Sequence, residues 1–102
     1  MRRIGKFRMT DHFLYRMWDR KAEQSIIEII LSQVEPLKRK TILVVSRQVM
    51  KKEFGFKSEE LFIVVDKTKL VTYYFCDFTE FFKCKRNSEI KLIQEIKNHK
   101  VA

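Results

Sequence analysis

The chain has 102 residues, two glycines and one proline, and 22 Lys+Arg against 13 Asp+Glu give a formal net charge of +9. That length holds one core, so a single domain is expected over residues 1–102. Gly5 and Gly55 are too far apart to spell a glycine-rich phosphate loop. No apolar run approaches the roughly 18–20 residues of a membrane span, and the basic N-terminus has no apolar segment of the kind a secretory signal needs, so a cytoplasmic protein without a membrane partner is expected.

The first helix is signalled at Thr10-Asp11, either of which caps an N-terminus. It continues through HFLYRMWDRK with no Gly, Pro or β-branched residue. At about 100° per residue, His12, Arg16 and Arg20 fall within about 80° of one another. Phe13, Leu14, Met17 and Trp18 fill the adjacent apolar arc. A second helix is expected at about 23–34, with a stripe of Ile26, Ile27, Ile29, Ile30, Leu31 and Val34, ending at Glu35-Pro36 because proline disfavours helix in the residue before it.

The hydrophobic period then changes. Thr41–Val45 is β-branched and opens a strand expected to reach about Met50. Leu61–Val65 is a short continuous apolar run, as in a central strand covered on both faces. The turn 66–69 joins it to a strand over Leu70–Cys76, where Thr72, Tyr74 and Cys76 share one face and Val71, Tyr73 and Phe75 the other. Residues 77–86 fit either a helical turn or another strand. Asn87-Ser88 reads as the cap of a last helix, with Ile90, Leu92, Ile93 and Ile96 inward. The expected architecture is therefore α+β: two N-terminal helices, an antiparallel sheet of three or four strands, and a C-terminal helix.

Positive charge falls in three blocks. Residues 1–21 are +5, residues 36–60 are +4 and residues 83–102 are +4, with acidic or neutral stretches between. Such blocks suit a polyanion, whose phosphates release counterions when neutralised; a solvated lysine-rich surface is the plain alternative. Cys76, Cys84, His12 and His99 follow no metal-ligand spacing, so neither a metal site nor a cofactor is expected, and the two cysteines read as reduced thiols.

The sharpest feature is His12, Arg16 and Arg20 in successive helical turns. RNA is cleaved without a metal by activating the ribose 2′-OH against the adjacent phosphate. Histidine ordinarily titrates near neutrality and moves that proton. Arginine holds the non-bridging oxygens with its planar fork. The same spacing also arises on a helix where the histidine only packs and the arginines cover apolar surface.

The stretch MTDHFLYRMWDRKAEQSIIEIILSQVE resembles the opening of a family of small bacterial proteins grouped with the barnase, EndoU, colicin-type and RelE-like toxin nucleases. The matching positions are His12, Arg16, Met17 and Arg20. LFIVVDKTKLVTYYF resembles the family's closing hairpin, whose final strand carries a Thr, here Thr72. The resemblance covers about residues 9–78. It implies a RelE/barnase-like fold and an endoribonuclease toxin, with His12 as general base or acid, Arg16 and Arg20 on the scissile phosphate, and Thr72 and Tyr74 orienting phosphate or ribose. An acidic antitoxin or immunity protein is the implied partner. Lys83, Lys85 and Arg86, with Arg47 at the end of a strand, are candidate contacts to the RNA backbone. Two other readings stand beside this one: a non-catalytic nucleic-acid-binding module, and a protein whose basic face meets an acidic partner.

Overall fold

The computed structural model describes residues 3–18, 21–55, 59–77 and 89–93. The elements run β1 (Arg3–Ile4), β2 (Phe7–Met9), α1 (Asp11–Trp18), α2 (Lys21–Leu31), β3 (Lys40–Val45), α3 (Arg47–Phe54), β4 (Glu60–Asp66), β5 (Lys69–Cys76) and β6 (Glu89–Ile93). One mixed sheet has the order β1-β2-β5-β4-β3-β6. The β1–β2, β5–β4 and β4–β3 pairs are antiparallel, whereas β2–β5 and β3–β6 are parallel.

This arrangement corrects the expected two-helix, antiparallel, RelE/barnase-like architecture in four places. The chain opens with a hairpin, because Phe7 and Met9 are buried and alternate with exposed Arg8, a period of two. Gly5, with φ +56°, takes the left-handed backbone that this tight connection requires. The strand expected to reach Met50 stops at Val45. Ser46 then accepts a hydrogen bond from the Val49 N–H and caps α3, and Gly55 closes that helix in the left-handed conformation. The expected last helix is, over Glu89–Ile93, the strand β6, and the rest of that helix lies outside the described residues. Ile90 and Ile93 sit three apart, a spacing that serves a helix. Here they pack on opposite faces of the sheet, as an odd spacing in a strand requires. Finally, the two parallel pairings make the sheet mixed.

The expected second helix, central strand and hairpin correspond to α2, β4 and β5. Ile27 and Ile30 of α2 are fully buried, as are Leu61, Phe62, Ile63 and Val65 of β4. The larger core cluster fills the helix-covered face and joins Phe13, Met17, Ile27, Ile30, Leu43, Ile63 and Tyr73. A smaller cluster of Ile42, Val44, Phe62 and Val64 occupies the opposite face.

Thr10 makes the junction on which the site depends. β2 ends at Met9 and pairs with β5 only through Lys69 and Leu70. At that point Thr10 replaces the strand. Its N–H donates to the Leu70 carbonyl at 3.1 Å. Its hydroxyl donates toward the carbonyls of Leu70 and Val71, 2.9 and 3.2 Å away, and accepts from the Phe13 N–H at 3.2 Å, capping α1. Thr10→Ala is therefore expected to lower stability by about 0.5–2 kcal/mol, the ordinary cost of a lost N-cap, measured by urea denaturation followed by circular dichroism.

Candidate functional site

Beyond Leu70, β2 no longer covers β5, and the outer edge of that strand meets the start of α1. A β-bulge lies here. β4 residues Val64 and Val65 face Thr72 and Leu70, so Val71 is the extra residue. The bulge corrects the expected alternation, since Val71 packs with Tyr74 and Cys76 on the smaller cluster rather than with Tyr73 and Phe75.

His12 sits in the first turn of α1 and is exposed. Its Nε2 lies 3.2 Å from Thr72 Oγ1, sixty residues away in the chain. The hydroxyl donates to one imidazole tautomer and accepts from the other. An exposed imidazole thus meets a second polar group at the sheet edge.

Arg16 follows one turn later, on the same helix face by its spacing. Its Cζ lies 5.6 Å from the centroid of the Tyr73 ring, a cation–π contact. The Tyr73 hydroxyl donates to the Arg16 carbonyl over 3.4 Å. Arg16 Nε is buried and has no hydrogen-bond partner. None of the ion pairs among the described residues uses Arg16. Its guanidinium is held by a ring rather than by a carboxylate, so its charge is not cancelled by a bonded anion.

The other expected site residues are placed differently. Tyr74 is half-buried and stacks on Phe62, with ring centroids 5.4 Å apart and planes 22° apart. Arg47 opens α3 instead of ending a strand, and its Nε donates to Glu60 Oε2 at 3.0 Å. That hydrogen bond, and then the carboxylate's charge, raise the Arg47 pKa above the usual arginine value. Glu60 is buried, so Arg47 supplies the cation its carboxylate needs. Arg20, Lys83, Lys85, Arg86 and Cys84 lie outside the described residues. Trp18, expected on the buried arc of α1, is 73% exposed and Tyr15 is 76% exposed. Trp18 borders a cavity of about 170 Å³ together with Arg3, Leu14, Met17 and Glu28.

Two contributors had no place in the sequence reading of the site. Thr10 was legible only as a helix cap, yet it also docks α1 on β5. Tyr73, legible only as one face of the strand over Leu70–Cys76, carries Arg16. No helix among the described residues is long and apolar enough to cross a membrane. No protein-family model, curated protein or solved structure matches the chain.

Proposed function

We propose that this chain is a metal-independent endoribonuclease of the toxin type, neutralised in its cell by an acidic antitoxin or immunity protein. The contact between His12 Nε2 and Thr72 Oγ1, 3.2 Å across a sixty-residue separation, carries the reading. In it His12 takes the proton from a ribose 2′-OH, and that oxygen attacks the adjacent phosphorus. The bond to the 5′ oxygen breaks and that oxygen takes up a proton from solvent, leaving a 2′,3′-cyclic phosphate on one fragment and a 5′-hydroxyl on the other. Arg16 stabilises the charge that builds on the non-bridging oxygens, and Arg20 joins it by the family resemblance. Thr72 fixes the imidazole in the plane that receives the proton. Supporting this are the net charge of +9 and an Arg16 guanidinium without a bonded carboxylate among the described residues.

The test is incubation of the purified protein with total RNA in EDTA, followed by end-group analysis of the fragments. Fragments ending in cyclic phosphate are expected. RNA that is bound but left intact would instead make the chain a non-catalytic nucleic-acid-binding module.

A further inference from the structure

A row of charged side chains, four cations and one carboxylate, crosses one end of the sheet. Arg3 of β1 stands opposite Arg8 of β2, and Arg8 stands opposite Lys69 of β5. The row continues through Asp66 of β4 to Lys40 of β3. All five are exposed. Cross-strand partners share a face, so Arg8, Lys69, Asp66 and Lys40 belong to one surface, with Arg3 at the sheet edge, where it also borders the cavity beside Met17. The ion pairs among the described residues use neither Arg3, Arg8 nor Lys69. Like charges directly opposite one another repel and weaken a sheet. Here three stand side by side across two ladders, and an anion lying on them would relieve the repulsion.

The bulge ties this row to the candidate site. Lys69 and Thr72 are three residues apart, and in a regular strand they would point to opposite faces. With Val71 as the extra residue, Lys69 faces Asp66 and Thr72 faces Val64, which share a face of β4. The cation row and Thr72 therefore lie on the same side of the sheet. Lys69 and Thr72 stand opposite β4 residues two apart, so they are separated by roughly 7 Å along the sheet at the usual strand rise, which puts the row beside the phosphates next to the one being cut.

We infer that Arg8 and Lys69, with Arg3 at the edge, form a phosphate track that holds the backbone of single-stranded RNA next to the His12–Thr72 pair. The identity of the anion rests on the ribonuclease reading; the track itself rests on the register of β1, β2 and β5. It sets substrate class: a chain of several nucleotides is held, and a dinucleotide gains nothing from it.

The experiment compares wild type with the double variant Arg8→Gln/Lys69→Gln. Binding of a 12-nucleotide single-stranded oligoribonucleotide, carrying 2′-O-methyl groups so that it is not cut, is measured between 50 and 200 mM salt. Two lost phosphate contacts should flatten the log–log salt slope by about 1.4 and weaken low-salt binding by about tenfold. Cleavage of the matching RNA 12-mer should fall with it, while cleavage of a dinucleoside monophosphate stays at the wild-type rate. The variant should keep the wild-type circular dichroism spectrum, because both side chains are exposed. Identical salt slopes for the two proteins would overturn the track. So would an unchanged RNA slope accompanied by weaker binding of a poly-glutamate peptide, which would assign the row to an acidic protein. If wild type binds the 12-mer but cleaves neither RNA substrate, the ribonuclease reading fails and the salt slope still decides the track.

Discussion

His12→Ala is expected to reduce RNA cleavage by about 10²–10⁴-fold, the usual contribution of a positioned general acid or base, with no more than about 0.5 kcal/mol lost in stability. The two expectations separate because His12 is exposed on the outer side of α1, while Phe13 and Met17 on its inner side anchor the helix. Cleavage is followed as initial rate on a fluorescent oligoribonucleotide, and stability by urea denaturation of the same preparations. Thr72→Val keeps the shape of that side chain and removes only the oxygen that meets His12 Nε2. It should lower the rate by about tenfold, in line with the roughly 1–1.5 kcal/mol net value of one hydrogen bond. Thr72→Ser retains the oxygen and should restore most of that loss. A His12→Ala protein that cuts RNA at the wild-type rate would remove His12 from the chemistry.

Tyr73→Ala is expected to cost about 3–5 kcal/mol, as large aromatic-to-alanine changes in a core do. Domains of this size are stable by only about 5–15 kcal/mol, so much of this variant should be unfolded near its working temperature. Tyr73 is fully buried, and its ring lies 5.3 Å from that of Phe13 and 6.4 Å from that of Phe75. It is thus the side chain of β5 on which α1 rests. Tyr73→Phe keeps the ring and loses the 3.4 Å bond to the Arg16 carbonyl, a long one, so the loss should stay below about 1 kcal/mol. Urea titrations of the two variants, followed by circular dichroism, measure the difference. Equal losses in both would show that the hydroxyl, not the ring, holds α1 on the sheet.

Several features were legible in the chain because each depends on a few neighbouring residues. Thr10-Asp11 announces α1, the isoleucine run announces the buried face of α2, and Leu61–Val65 announces a central strand. His12 and Thr72 were singled out before any fold placed them together. The signals for α3 were also present, Ser46 at one end and Gly55 eight residues past Arg47 at the other, but the β-branched run before them masked the change of period. The opening hairpin is five residues of strand in two short pieces, too brief for periodicity to stand out.

Local sequence determined where α1 begins and that Phe13 and Met17 lie on its apolar arc, whereas the exposure of Trp18 on the same arc was decided by what packs against the helix. Caps, turns and apolar spacing act over a turn or two of backbone, so the helix start and the arc are written into adjacent residues. Tertiary structure alone decided that β2 runs parallel to β5, that β6 is a strand, and that Thr72 reaches His12. Those outcomes follow from pairing partners distant in the chain and from one extra residue, Val71, in a single ladder. Strand pairing is settled by which backbone groups find partners across the whole sheet, and no short stretch of side chains encodes that choice.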